Sequence, residues 1–478
     1  MTIDASNELT ALDAIAQAEL VRARAVQPAE LVDAAIRQVE QLNPELNAVV
    51  NLAAERARVE AIAVDPALPL AGVPLLLKDL VMRRAGFPAT DGSRAGAGRV
   101  ADRDSELVRR YLAAGLIAIG QTNTAELGVT PTTESELFGP ARNPWDLART
   151  AGGSSGGSAI AVATGMVPVA HGNDGGGSIR IPASCCGVFG LKPSLGRTPL
   201  EPDAGSLLCR VLGNHVLTRS VRDSALVLDL TAGPARGSLL GAALPPADGY
   251  RAAVGAPRTG MRIALSTTPL VAVPVHEDCT AAVEDAARLC EELGHHVTEA
   301  TPPLDADELI AAWFVLWREL MGSLVAEVGR ETGVEPAPEG FDELTWEHFV
   351  AAREHTAFEH MRALTTIDRA ARLLHEFMEG FDAWLTPTLA QPPLVLGEFS
   401  EPADRVARYV QFSPFTRLAN ISGQPAMSIP LHWSPSGLPI GVHFLGQLGR
   451  EGVLLSLAGQ LEQARPWSGR RPPVTVAS

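Results

Sequence analysis

The chain has 478 residues, 46% hydrophobic and 20% charged, enough apolar material for a large core. Its net charge of −16, from 39 basic and 55 acidic residues, argues against a surface for nucleic acid or for an anionic membrane. The five cysteines, Cys185, Cys186, Cys209, Cys279 and Cys290, are odd in number and include no C-x-x-C pair, so neither a disulfide framework nor a zinc site is expected.

The N-terminal MTIDASNELTALDAIAQAEL is acidic and lacks the basic and apolar regions of a signal peptide. No apolar run approaches the ~20 residues of a membrane span, and a reducing, cytoplasmic location is expected. QPAELVDAAIRQVEQLNPELNAVV predicts an amphipathic helix with Leu31, Ile36, Val39 and Leu42 near one face, stopping before Pro44. AGVPLLLKDL is a short apolar strand ending in Lys78-Asp79, and SELVRRYLAAGLIAIGQTN is a helix, a stop at Gly115 and a strand. This alternation predicts an α/β layered fold. Residues 140–200 are dense in Gly, Ser and Pro yet keep apolar runs, which a flexible linker would lack, so they form a buried core region shaped by glycine. Helices are expected at 276–294, 306–329 and 346–380, and a surface loop at 236–260. QPAMSIPLHW and LPIGVHFLG return to strand, followed by a helix over REGVLLSLAGQLEQA. There are no internal repeats.

Three stretches carry chemistry: Lys78 at its strand end, AGGSSGGSAIAVATG from Ala151 to Gly165, and HGNDGGGSIRIP from His171 to Pro182. Gly153-Ser154-Ser155-Gly156-Gly157 formally matches the nucleophile elbow G-x-S-x-G, which would make Ser155 the nucleophile. That motif needs a strand before it, and NPWDLARTA places Pro, Asp and Arg there. Taken alone, the segment reads as a helix entry capped by Ser154 or Ser155. In the second stretch, Gly175, Gly176 and Gly177 can turn successive N–H groups into one concavity. Beside Ser178, such a nest suits acyl transfer: the amides hold the tetrahedral oxyanion while the hydroxyl attacks. The plain alternative is a tight turn whose serine caps a backbone group. A serine nucleophile needs a base. His171 lies seven residues upstream of Ser178. Lys78, buried at a strand end, would have its pKa lowered, unless an ion pair with Asp79 or Asp174 keeps it charged. The residues alone leave both bases open.

Together, LAGVPLLLKD, GGSSGGSAIAVATG and NDGGGSIRIPASCCGVFGLKPS, in this order and spacing, resemble the amidase signature family. TNTAELG, NPWDL and NISGQPAMSIP…GLPIGV extend the likeness over most of the chain, with 230–400 least constrained. The resemblance implies one large α/β/α domain over 1–478, with a mixed twisted sheet covered by helices. Its catalytic core would lie at about 65–230 and 385–465, and a variable, substrate-shaping part at about 231–384. It implies a Ser–cis-Ser–Lys triad: Ser178 as nucleophile, Ser154 on a cis peptide as the bridge, and Lys78 as general base. The amides of Gly175, Gly176, Gly177 and Ser178 match the family's oxyanion hole. Ser155 becomes a supporting residue, and Asp174 and Arg180 brace the loop as an ion pair. Many relatives carry a larger residue where Gly175 stands, so the pocket beside it should be wider or looser here.

Within the family, TNTAELG, RNPWDL, AHGND, SIRIPAS and SGQPA most resemble hydrolases of nylon oligomers, of the 6-aminohexanoate cyclic-dimer type. The implied activity is cofactor-free, metal-free hydrolysis of uncharged, rather apolar amides through an acyl-enzyme, with carbamates, aryl amides and esters as related substrates. A homodimer is compatible with the resemblance. Trp313, Phe314, Leu316, Trp317, Trp346 and Phe349 are core residues at helical spacing, or in part pocket lining. The competing reading is the glutaminase subunit of a tRNA-dependent amidotransferase, which works in a complex and recognises a polar glutamine; the apolar 306–350 region disfavours it.

Overall fold

The computed structural model describes residues 5–474, apart from 201, 204–207, 209, 239, 243 and 400–404. The apolar runs become strands, in chain order β1 (Val49–Leu52), β2 (Pro74–Lys78), β3 (Ile117–Thr122), β8 (Val169–Asp174), β9 (Phe189–Lys192), β10 (Gly213–Thr218), β11 (Arg262–Leu265), β12 (His296–Glu299), β13 (Ala383–Pro387), β14 (Ala426–Trp433) and β15 (Pro439–Gly446). These form one mixed sheet in the order β1-β3-β2-β8-β10-β9-β14-β15-β13-β11-β12. Strands β3, β2 and β8 run parallel, as do β13, β11 and β12, and the remaining neighbours are antiparallel. β2 and β8 are buried along their whole length, because helices cover both faces of a parallel segment. The remaining four strands make two small ribbons, β4 (Glu134–Ser135) with β5 (Gly139–Pro140) and β6 (Arg142–Asn143) with β7 (Asp146–Thr150).

The glycine-rich region is buried almost throughout from 150 to 200, where helices Gly156–Ala163 and Arg180–Cys186 expose no residue, whereas the ribbon segment 140–149 includes exposed Arg142 and Ala148. Gly157 shows why these positions are small: a Cβ there would lie 2.4 Å from the Ala48 carbonyl oxygen.

Several expected boundaries shift. The first long helix runs from Pro28 to Leu46, through Pro44. Pro44 falls in the last turn, and Asn43 closes the end: its Oδ1 accepts from the amides of Ala48 and Val49 at 2.8 and 2.7 Å. The 346–380 helix is two, Glu343–Ala352 and Ala357–Glu379, because Thr356 and Glu359 form a capping box that starts a new helix. The 236–260 loop contains a short helix, Gly249–Val254, anchored by buried Tyr250. Ala306–Thr332 is, by length and composition, apolar enough to cross a membrane, contrary to the expectation that no such run exists. Its apolar face packs into the main core cluster, with residues of Ala357–Glu379. β11 and β12, within 231–384, hydrogen-bond onto β13 as the far edge of the sheet.

Candidate active site

Lys78 and Asp174 end neighbouring parallel strands, so the sheet order alone brings their carboxyl ends together, where open α/β sheets place ligands. The Lys78 side chain is fully buried, and its Nζ lies 2.7 Å from Ser154 Oγ and donates to Asn173 Oδ1 at 2.6 Å. Burial pulls its pKa well below the ordinary lysine value, against a smaller opposing pull from Asp174. Neither expected acid pairs with it. Asp79 accepts from Thr90 and Gln121, and Asp174 is occupied by Arg180. An amine so placed is drawn toward the neutral form, whose lone pair can accept the Ser154 proton.

The Gly153–Ser154 peptide is cis. Ser154 is held from one side by the segment after β3: the Ala125 amide donates to its carbonyl at 3.3 Å, and Thr133 Oγ1 donates to it at 3.3 Å. Glycine is required at Gly153, where a Cβ would lie 2.4 Å from the Thr132 carbonyl oxygen. Ser155 ties the two serine clusters together: its amide donates to the Ser178 carbonyl and its hydroxyl to the Asn173 carbonyl, both at 3.3 Å. The segment before it includes β7, but that strand lies apart from the main sheet, pairing with β6 and bridging Val395 through Arg149. The strand before the serines is therefore not a strand of the main sheet, as a nucleophile elbow requires.

The loop after β8 is built around Asp174. Its Oδ1 accepts from the Gly177 amide at 2.8 Å and its Oδ2 from the Ile179 amide at 3.1 Å. Arg180 forks onto the same carboxylate at 2.9 and 2.8 Å, both side chains being fully buried. Burial would raise the Asp174 pKa, but the guanidinium and its hydrogen bonds hold it well below the usual carboxylate range. Arg180 also donates to the Thr416 carbonyl and to Asn420 Oδ1, both at 2.7 Å, and Thr416 Oγ1 donates to the Gly176 carbonyl at 2.7 Å. This corrects one expectation: the Gly177 amide is committed to Asp174 and is not a free oxyanion donor. Among the described residues, the amides of Gly175, Gly176 and Ser178 meet no acceptor, and the Ser178 hydroxyl has no hydrogen-bond partner.

His171 does not join this group. Its ring stacks edge-on against Tyr111, and burial, aided by the Lys78 charge, pushes its pKa down to about 3. Among the described residues, no group of three or more His, Cys, Asp or Glu side chains could hold a metal ion.

The wall over the loop comes from distant segments. A Cβ on Gly175 would sit 3.6 Å from both Leu212 Cδ1 and Trp317 Cζ3, and one on Gly176 would sit 3.0 Å from Tyr409 Oη and 3.6 Å from Trp313 Cζ2. Trp313 and Trp317 stack at 5.6 Å, and Phe314 packs edge-on against Tyr409 at 6.2 Å. Trp346 and Phe349, both partly buried, instead pack against each other, and Trp346 against Phe341, at the margin of the main core. The sequence reading thus found Trp313 and Trp317 but missed Tyr409, Leu212, Asn173, Thr416 and Asn420. Of these, Asn173 and Asn420 had a signal, since NDGGGSIRIP and NISGQPA were already recognised fragments.

The family model described as Amidase matches residues 30–455. The 6-aminohexanoate-cyclic-dimer hydrolase of Pseudomonas sp. (strain NK87) is 36% identical, covering 96% of this chain and 96% of its own. A solved structure of 6-aminohexanoate cyclic dimer hydrolase complexed with substrate superposes with a TM-score of 0.93 at 35% identity, over 97% of this chain and 99% of that one. A bacterial aryl acylamidase of the amidase signature family superposes with a TM-score of 0.87 at 30% identity, over 96% and 97%. With this fold, this coverage and these motifs, the chain belongs to the amidase family and is a hydrolase of carbon–nitrogen bonds in small-molecule amides.

Proposed function

We propose that the protein hydrolyses uncharged, largely apolar amides through a Ser178–Ser154–Lys78 relay and an acyl-enzyme. The observation that carries this is the Lys78 Nζ contact with Ser154 Oγ at 2.7 Å, inside a site where burial draws the amine toward neutrality. Ser178 Oγ attacks the scissile carbonyl, its proton passes to Ser154, and the Ser154 proton passes to Lys78. The tetrahedral oxyanion is held by the free amides of Gly175, Gly176 and Ser178. Collapse breaks the C–N bond, the proton returns through Ser154 to the leaving amine, and water releases the acid by the same route. Ser178 and Ser154 are not hydrogen-bonded in the free protein; such contacts commonly tighten only when substrate is bound.

The leading substrate class is an amide with apolar flanks, in keeping with Leu212, Trp313 and Trp317 around the loop. The 6-aminohexanoate cyclic dimer and aryl amides are the first compounds to try, since relatives are named for such reactions. Carbamates and esters enter through the same acyl-enzyme. The decisive experiment is intact-mass analysis after a fluorophosphonate probe, together with anilide turnover. A single adduct on Ser178, lost in Ser178→Ala with turnover reduced at least about 10³-fold, is expected. Retained turnover in that variant refutes the mechanism. A substrate panel that includes glutamine tests the glutaminase alternative, which predicts glutamine as the preferred substrate.

A further inference from the structure

The space over Gly176 differs chemically from the space over Gly175. Above Gly175 the neighbours are carbon atoms of Leu212 and Trp317. Above Gly176 stand the Tyr409 hydroxyl and the Cζ2 edge of Trp313, the ring edge beside its N–H. Among the described residues, Trp313 Nε1 is buried without a hydrogen-bond partner, and the hydroxyl of half-buried Tyr409 has none either. A buried donor without an acceptor carries a desolvation penalty of about 1–3 kcal/mol. One such donor, with a half-buried phenol hydroxyl and a free backbone amide beside it, makes a polar spot in a wall that is otherwise apolar.

The Tyr409 ring is fixed on both sides. Phe314 meets it edge-on at 6.2 Å, and the Arg417 guanidinium lies 5.3 Å from its centroid. Arg417 is itself buried. Its Nη2 donates to the Ser413 carbonyl at 3.1 Å, while Nε and Nη1 have no partner among the described residues. It has no carboxylate within ion-pair distance among the described residues. A cation on the face of a phenol holds the ring in place and makes its O–H a better donor. Burial raises the Tyr409 pKa and keeps that proton in place, with Arg417 opposing.

The direction of this donor pair follows from the relay. The leaving amine must receive its proton from Ser154, which is packed against Lys78, Gly128 and Thr133. None of these lies over Gly176. The acyl part of the substrate therefore faces Trp313 and Tyr409.

We propose that Tyr409 and Trp313 are specificity-determining residues that donate to a second acceptor oxygen in the acyl group, close to the scissile carbonyl, with Arg417 as the positioning residue of Tyr409. The substrate class so defined is an amide or carbamate whose acyl group is mainly hydrocarbon but carries an ether, carbamate or carbonyl oxygen near the bond that is cut. The inference rests on the acyl-enzyme reading above and refines its substrate.

The test uses p-nitroanilides with matched acyl groups: butanoyl, methoxyacetyl and ethoxycarbonyl. Intrinsic reactivity cancels when each variant is compared with the parent on the same compound. Tyr409→Phe keeps the ring packing and should lower kcat/KM about tenfold on the two oxygen-bearing compounds, the worth of one hydrogen bond. The butanoyl compound should stay within about threefold. Trp313→Phe should act in the same direction. Arg417→Met should lose the same discrimination and Arg417→Lys should recover part of it, which a purely packing role would not do. The ethoxycarbonyl compound separates an oxygen attached to the carbonyl from one a carbon further away. Equal losses on all three compounds, or no loss on any, overturn the proposal. Ser178→Ala, run on the same panel, reports separately on the acyl-enzyme reading: if it retains turnover, that reading fails whatever Tyr409→Phe does.

Discussion

Replacing the three loop glycines one at a time with alanine should give three different outcomes. At Gly177 the backbone has a φ of +137°, and a Cβ would lie 2.4 Å from Thr416 Oγ1 and 2.8 Å from Ile181 Cδ1. The backbone conformation alone costs a side-chain-bearing residue about 1–3 kcal/mol. The clash also drives Thr416 off the Gly176 carbonyl, a hydrogen bond worth about 1 kcal/mol. The sum, about 2–4 kcal/mol, corresponds to a 30- to 1000-fold loss of the competent loop at about 1.4 kcal/mol per decade. At Gly176 the nearest atom is the Tyr409 hydroxyl at 3.0 Å, which must shift by a few tenths of an ångström, so the loss should be smaller. At Gly175 nothing lies closer than 3.6 Å, an ordinary contact, so Gly175→Ala should fold and turn over small acyl groups normally. Gly175 therefore widens the pocket by about one methyl group without being needed for the loop conformation. The assay is kcat/KM on acetyl and longer-chain anilides, with thermal unfolding as the control. Gly177→Ala within threefold of the parent, or Gly175→Ala as damaging as Gly177→Ala, would refute this account.

Other outcomes follow from the same geometry. Because burial lowers the Lys78 pKa and the relay needs the neutral amine, kcat/KM should rise with pH through a value well below 10.5 and then level off; a limb near the ordinary lysine value would contradict this. Asn173→Asp places a carboxylate on Lys78 Nζ, now 2.6 Å from Asn173 Oδ1, and should move that limb upward by about 1–3 pH units, with activity recovering in alkaline buffer. Asp174→Asn leaves the Arg180 guanidinium buried without its counter-charge, a loss of about 3–5 kcal/mol, read as a lower melting temperature and slower probe labelling of Ser178.

The parts of the site that were legible in the sequence are those with a local pattern. Lys78 ends an apolar strand, and Ser154 and Ser178 sit in glycine clusters, so each could be singled out. Their meeting could not be read locally, since Lys78 and Ser154 are 76 residues apart and come together through the β3-β2-β8 strand order. Asn173 sits directly before the expected brace, Asp174, but its partner is 95 residues away. Thr416 lies 240 residues from the Gly176 carbonyl it holds. Trp313 and Trp317 are four apart on a helix, which predicts a shared face but not what that face covers. The assignment of Gly177 did have a local warning: an aspartate commonly accepts an amide two or three residues later, and Asp174 takes the Gly177 amide in this way.

That correction bears on what separates this loop from an ordinary tight turn. In a turn whose serine only caps the backbone, the polar groups satisfy one another. Here Asp174, Arg180, Thr416 and Asn420 satisfy the groups that hold the loop's shape, including the Gly176 and Asp174 carbonyls and the Gly177 and Ile179 amides. What is left over, among the described residues, is the Ser178 hydroxyl and three amides, from Gly175, Gly176 and Ser178. The buried ion pair and side-chain hydrogen bonds of Asp174, Arg180, Thr416 and Asn420 fix their positions before any substrate arrives, so the donors need no reorganisation when negative charge develops. The free amides and the fixed frame imply each other: the loop can leave three donors without partners only because its remaining groups are so fully paired.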